Sequence, residues 1–262
     1  MSKKLINLVN AHYILLGRSF VVILGCTAVW WGIIVFPAFR QESAIGRIAG
    51  LVIAGDQFKS EILARQLPTM NRVEESGYCQ PSALRSAALI RLRMVESAAS
   101  QNNHAQADQR LKSLGNVIRS SLFCAPADPF LWLVLEWVEA SQTGNQSGGL
   151  KYLRMSYRLG PNEGWIALKR NRVAFAMYKH LPPDLAQNAI NEFIGLIKSK
   201  FIEQAADIFT GPAWPERNLI LLNLVRVSDQ DRQYFVDALY SRGYDLNLPG
   251  VARRDVRPPN GP

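Results

Sequence analysis

The longest apolar segment of the chain begins at Ser19 and ends at Phe39, and it contains no charged side chain. A helix of this length rises roughly 30 Å, which matches the hydrocarbon thickness of a bilayer. Because lipid offers no hydrogen-bond partner to an unpaired backbone group, a helix is the expected conformation. The pattern predicts one transmembrane helix over residues 19–39, through which the protein binds membrane lipid.

Basic residues are concentrated before this segment. Residues 1–18 carry Lys3, Lys4 and Arg18 without any acid, whereas the two arginines of residues 40–57 are offset by two acids. The positive-inside rule therefore predicts a cytoplasmic tail over 1–18 and a periplasmic bulk, held at the inner membrane by a single pass. No small residues stand at the spacing of a cleavage site near its end, so the segment is interpreted as an uncleaved signal anchor.

Residues 40–78 are predicted to form a stalk helix and a linker. Apolar residues recur at helical spacing from Ile45 to Leu63, and Pro68 is expected to end the helix. The glycines and alanines of this segment also allow close packing on a second copy, so a homo-oligomer is one prediction.

Amphipathic segments separated by Pro- and Gly-rich turns fill residues 79–246 and predict an all-α domain. The predicted helices cover residues 81–100, 104–122, 130–142, 150–159, 165–181, 184–200, 201–209, 216–227 and 228–242. The short turn at residues 101–103 predicts an antiparallel hairpin of the first two helices. Residues 247–262 have too little apolar content to pack and are predicted to be disordered.

Two turn-to-helix junctions lie 33 residues apart, as measured between Trp132 and Trp165. The clearer junction consists of Leu159, Pro161, Asn162, Trp165 and Leu168, and the weaker one of Pro126, Asp128, Trp132 and Leu135. They resemble the junctions between successive tetratricopeptide repeats, over roughly residues 81–200. The resemblance implies stacked antiparallel helical hairpins with the tryptophans packed between them. An irregular helical bundle or α-solenoid is the alternative.

The formal charge of +9, from 30 basic and 21 acidic residues, favours solubility and attraction to anionic headgroups. The densest basic run consists of Lys169, Arg170 and Arg172 and lies within an amphipathic helix. It is interpreted as a solvated face, so no nucleic-acid partner is predicted.

The three cysteines occupy different settings. Cys26 lies within the apolar segment, whereas Cys79 precedes the first helix of the predicted hairpin and Cys124 follows the second. Both therefore fall at the open end of the hairpin, and a disulfide between them is predicted if the domain is periplasmic. Neither stands in a CxxC motif or has a histidine at ligand spacing, so no zinc site is predicted.

No catalytic, cofactor or metal site is predicted. The histidines are His12, His104 and His180, and none has a partner at catalytic spacing. Glu136 and Glu139 lie three positions apart on one helix, where such spacing is typical of a solvated face.

The sequence favours a membrane-anchored, non-enzymatic interaction or scaffold protein of the bacterial cell envelope, with a setting in polysaccharide biosynthesis or export. A protein partner in the envelope is expected. The candidate partner-binding residues are Tyr152, Tyr157, Arg158, Lys169, Arg170 and Arg172. The alternatives are a glycan-active envelope enzyme that uses Glu136 or Glu139, and an adaptor whose domain faces the cytoplasm.

Overall fold

The structure is a computed structural model that describes residues 3–101, 104–144 and 148–246. Every long element in these ranges is a helix and none is a strand, which confirms the all-α prediction. The chain divides into two compact units, Met1–Asn102 and Asn103–Pro262. The predicted disordered tail at 247–262 lies outside the described residues.

The first unit contains four helices, and the first of them is by far the longest. They are α1 (Lys3–Ala54), α2 (Ser60–Ala64), α3 (Leu67–Glu75) and α4 (Pro81–Ser100). Within α1, the stretch Leu15–Ile34 has a mean hydropathy of 1.6 and no buried residue. By length and composition this helix can cross a bilayer, although the stretch begins four residues earlier than the predicted span.

The end of α1 packs onto α4 within this unit and is not a free stalk. Ile45 and Ala49 are fully or almost fully buried there. The helix ends at Ala54 because Gly55 takes a positive φ of 97°, which glycine adopts without a steric cost. Pro68, expected to end the stalk, instead lies in the first turn of α3, where its missing N–H costs nothing.

Buried polar contacts join α3 to α4. Arg91 donates from Nε to Glu74 Oε1 at 2.8 Å and from Nη2 to Asn71 Oδ1 at 2.8 Å. Burial raises the pKa of Glu74, and the positive charge of Arg91 acts in the opposite direction.

The second unit contains eight helices in the described ranges, joined by short turns. They are α5 (His104–Cys124), α6 (Pro129–Thr143), α7 (Leu150–Leu159), α8 (Gly164–Ala176), α9 (Pro183–Lys198), α10 (Ile202–Thr210), α11 (Arg217–Asn223) and α12 (Asp229–Tyr240). Most bounds lie within a few residues of the predicted ones. The predicted helix at 216–227 is broken, because α11 is flanked by 3₁₀ turns.

Local chemistry explains where α6 begins and ends. Asp128 caps it by accepting from the backbone N–H groups of Phe130 at 3.0 Å and Leu131 at 3.1 Å. Such a cap contributes about 1 kcal/mol of helix stability. Gly144 ends the helix with a φ of 65°, in the left-handed conformation common after a helix.

Helices adjacent in sequence pack against each other, with α6 between α5 and α7 and with α8 on α9. A group of aromatic rings lies at the centre of the C-terminal core, where Phe193, Phe209 and Phe235 are all fully buried. Trp165 contacts Phe130 of α6 with ring centroids 4.9 Å apart, and Trp132 stacks on Tyr152 of α7 at 5.7 Å. Both tryptophans make packing contacts while remaining partly exposed.

Two predictions about helix packing are not tested by these contacts. One is stacking in the manner of tetratricopeptide repeats, and the other is the antiparallel hairpin of α4 and α5.

Candidate functional site

A cleft of about 510 Å³ with both polar and apolar lining lies between α7, α8 and α9 of the second unit. This volume is within the range of small-ligand sites in proteins. Its polar lining consists of Arg154, Tyr157, Arg158, Asn162, Asn188, Asn191, Glu192 and Ser199. Gly164, Ala167, Leu196 and Phe201 contribute apolar surface.

Arg170 lies beneath the cleft and is 0% exposed. Its guanidinium donates from Nη1 to the Ser156 carbonyl at 2.7 Å and from Nη2 to the Gly160 carbonyl at 2.9 Å. Nε donates to Glu192 Oε1 at 3.0 Å. One side chain of α8 thus holds the C-terminal end of α7 and the middle of α9. Helix-end carbonyls need such donors, and a cation is favourable there.

Two buried polar atoms on the cleft floor lack hydrogen-bond partners among the described residues. They are the Tyr157 hydroxyl, on a residue that is 8% exposed, and Glu192 Oε2, on a side chain that is 7% exposed. The Tyr157 ring lies 4.3 Å from the Arg170 guanidinium carbon. Burial raises the pKa of Tyr157, and the nearby negative charge of Glu192 raises it further.

The pKa of Glu192 is also raised, chiefly because its carboxyl is buried, while Arg170 acts in the opposite direction. The Tyr157 hydroxyl and the Glu192 carboxyl therefore lie close enough to influence each other. Their contact falls short of good hydrogen-bond geometry, but each side chain still influences the other. Because both atoms are buried, the two groups serve each other and not a ligand.

Four polar side chains around the cleft make no hydrogen bond or ion pair within the described part of the chain. They are Arg158, Asn162, Asn188 and Ser199. By contrast, Arg154 forms a two-point ion pair with Asp184, at 2.9 and 3.2 Å. Arg158 is therefore the cleft arginine that forms no ion pair with an acidic side chain among the described residues.

One wall of the cleft is formed by Phe201, which follows a tight end to α9. The amide of Phe201 donates to the Leu196 carbonyl at 3.0 Å and the amide of Lys200 to that of Ile197 at 2.9 Å. This is a Schellman ending, and it places Lys200 at a φ of 66°, where glycine is usual. A Cβ added to Gly164 would lie 2.9 Å from Phe201 Cε2, so glycine at 164 allows the ring to approach α8.

The cleft brings together two of the six residues that the sequence predicted for partner binding, Tyr157 and Arg158. Tyr152 stacks on Trp132 instead, and Lys169 and Arg172 are exposed without lining the cleft. The interpretation of the basic run as a solvated face is wrong for Arg170, because that side chain is buried in an ion pair. Tyr157 also lies below the surface and not on it.

Asn188, Glu192 and Ser199 were not singled out in the sequence, although a signal was present. With Gly195 they recur at steps of three or four along α9, which places them on one helix face. A polar face opposite an apolar one is equally typical of a solvated surface helix, so this pattern does not by itself indicate a cavity.

The two carboxylates of α6 do not form a joint site. Glu136 is 1% exposed and lies against Gly149, where an added Cβ would be 2.9 Å from Glu136 Cγ. Glu139 pairs with Arg119 of α5 at 3.3 Å. The interpretation of both as a solvated face is wrong for Glu136, because α6 packs on α5 and on α7.

Glu136 is in an unusual environment for a carboxyl group. Neither of its carboxyl oxygens has a hydrogen-bond partner in the described residues. Burial raises its pKa from 4.5 to about 7. It does not line the cleft.

Cys79 and Cys124 lie at disulfide distance, as the sequence predicted, and Cys26 is a free and exposed thiol in α1. No group of three or more histidine, cysteine or acidic side chains in the described ranges is arranged to hold a metal ion.

Comparison with known proteins identified no relative of this chain. No family model, no curated protein and no solved structure matches this chain.

Proposed function

We propose that this protein is a membrane-anchored, non-enzymatic binding module of the bacterial cell envelope. It would act as an accessory or scaffold for polysaccharide biosynthesis or export. The observation that carries the proposal is the cleft between α7, α8 and α9, where four polar side chains converge without partners in the described structure. Polar groups left open around a concavity are typical of ligand recognition.

The N-terminal helix supports the membrane part of the proposal. Leu15–Ile34 is apolar and exposed, so a bilayer would cover side chains that otherwise meet water. The basic residues before it favour a cytoplasmic N-terminus. The cysteine pair at disulfide distance favours an oxidising compartment for the remainder.

The topology can be tested with a thiol reagent that does not cross membranes. Asp108 is exposed on α5, and we expect an Asp108→Cys variant to be labelled in intact spheroplasts as strongly as after lysis. The unmodified chain is the control for labelling at native cysteines. Labelling only after lysis would place the domain in the cytoplasm and favour the adaptor alternative.

The binding role can be tested by photocrosslinking in cells. A photoreactive amino acid at Asn162, on the cleft, is expected to give a discrete adduct in the membrane fraction. The same group at Gln204, which is exposed on α10 and does not line the cleft, serves as the matched control. Adducts at neither position, or the same adducts at both, would contradict a binding role for the cleft.

A further inference from the structure

We propose that the cleft between α7, α8 and α9 binds an acidic oligosaccharide, with Arg158 on a carboxylate and Asn162, Asn188 and Ser199 on hydroxyl groups. This inference rests on the proposed binding function and names the ligand class of the same site. It follows from the type, the spacing and the charge of the open groups.

The open side chains both donate and accept hydrogen bonds. Asn162 and Asn188 each offer two N–H donors and one carbonyl acceptor, and the Ser199 hydroxyl does both. Sugar hydroxyl groups have the same double capacity, so each of these side chains has a complementary group on a saccharide. An apolar ligand would leave all of them unpaired, which costs free energy when they are desolvated.

The spacing of these groups indicates an extended ligand. Asn188 lies on α9 and Ser199, eleven positions later, is the residue that caps its C-terminal end, so the two are separated by a rise of roughly 16 Å. This separation exceeds the size of one monosaccharide ring, so a single ring cannot reach both side chains. An oligosaccharide lying along α9 can.

The charge balance indicates one acidic group on the ligand. Asp184 already neutralises Arg154, and Arg170 already neutralises Glu192. Arg158 remains exposed and unpaired in the described structure. A guanidinium binds a carboxylate through two parallel hydrogen bonds, a geometry that a neutral sugar does not offer.

The floor and the wall complete the site. The Tyr157 and Glu192 side chains line the cleft from largely buried positions, and their contacts with Arg170 hold α7 and α9 in place around it. The half-buried Phe201 ring offers an apolar surface to the C–H groups of a sugar ring.

A peptide fits these features less well. Peptide grooves depend on apolar pockets that receive anchor side chains. Here Ala167 and Leu196 are themselves buried, so the apolar surface of the lining comes chiefly from Pro161 and the half-buried Phe201 ring, beside the open polar groups. The saccharide is therefore the expected ligand, and an acidic peptide is the competing probe in the test.

The test is calorimetric titration of the full chain in detergent micelles. The probes are the tetrasaccharides of α-1,4-galacturonate, β-1,4-mannuronate and hyaluronan, the methyl ester of each, and an acidic tetrapeptide. We expect at least one acidic tetrasaccharide to bind at millimolar concentration or below, and its ester to bind about tenfold more weakly. Arg158→Gln should weaken the acidic ligand by about tenfold or more, because a charged hydrogen-bond pair is lost.

The control variant is Arg72→Gln, which removes the same charge from an exposed position on α3, and its affinity should equal that of the unmodified protein. Circular dichroism checks that Arg158→Gln remains folded. The inference is overturned if no acidic tetrasaccharide binds, if esters bind as tightly as acids, or if Arg158→Gln has no effect. Tighter binding of the peptide also overturns it. Crosslinking at Asn162 without saccharide binding would overturn this inference alone, whereas failure of both experiments removes the binding function as well.

Discussion

Replacing Arg170 by methionine is expected to lower the free energy of unfolding by about 3 to 5 kcal/mol, because the change leaves an unpaired charge in the interior. Arg170 is fully buried and holds Glu192 together with two backbone carbonyls of α7. Without it, Glu192 must be desolvated alone or take up a proton. Urea unfolding of the full chain in detergent, followed by tryptophan fluorescence, measures the loss.

The matched control for this change is Arg172→Met, two residues further along the same helix. Arg172 is exposed, so its replacement should change the free energy of unfolding by no more than about 0.5 kcal/mol. The double variant with Arg170→Met and Glu192→Met should recover part of the stability, since no buried charge remains. Equal losses for the two arginine variants would show that the buried ion pair of Arg170 does not stabilise this unit.

Replacing Glu136 by glutamine is expected to remove a pH dependence of stability. In the folded protein the pKa of Glu136 is about 7, above the ordinary 4.5, so the folded state retains a proton that the unfolded state has lost. The contribution of this bound proton to the free energy of unfolding is fully present below pH 4.5 and is lost as the pH rises through 7. The loss is about 3 kcal/mol, since each pKa unit corresponds to roughly 1.4 kcal/mol.

Urea unfolding at pH 4.5 and pH 8 provides the measurement. Glu136→Gln should be more stable than the unmodified protein by up to about 3 kcal/mol at pH 8, and close to it at pH 4.5. Glu139→Gln is the control, because Glu139 pairs with Arg119 in a partly exposed position. If Glu136→Gln keeps the pH dependence of the unmodified protein, the carboxyl of Glu136 is already ionised in the folded state.

The helix bounds were the most predictable part of this fold, because prolines, glycines and a capping aspartate mark them. Pro81 and Gly160 flank segments whose predicted and observed ends coincide, and Asp128 caps α6. The helix that was expected to continue to Pro68 ends earlier, because Gly55 takes a positive φ after Ala54. Pro68 lies in the first turn of α3 instead of ending the preceding helix, because proline fits the start of a helix as well as the position after one.

The burial of Arg170 was not predicted, because its neighbours in sequence are not its neighbours in space. Lys169 and Arg172 are exposed, yet Arg170 lies at helical spacing from the buried residues Ala167 and Ala174. A charged residue within an apolar stripe indicates a buried ion pair, and that periodicity was present in the sequence. Its partner Glu192 lies on another helix, and local patterns do not determine such a pairing.

The cleft itself could not be predicted, because it requires the mutual placement of three helices. Residue patterns place Asn188 and Ser199 on one face of α9, but they do not show which helix lies opposite. The burial of Glu136 could not be predicted for the same reason. It depends on how much of the circumference of α6 is covered by α5 and α7.

The unbroken course of α1 has a mechanical consequence. The same helix contains the apolar stretch Leu15–Ile34 and the segment around Ile45 and Ala49 that is packed on α4. Each residue of a helix turns the chain by about 100°. The number of residues between these two segments therefore sets the angle between the faces of the apolar stretch and the face that packs on α4, and inserting or deleting a single residue would change that angle by about 100°.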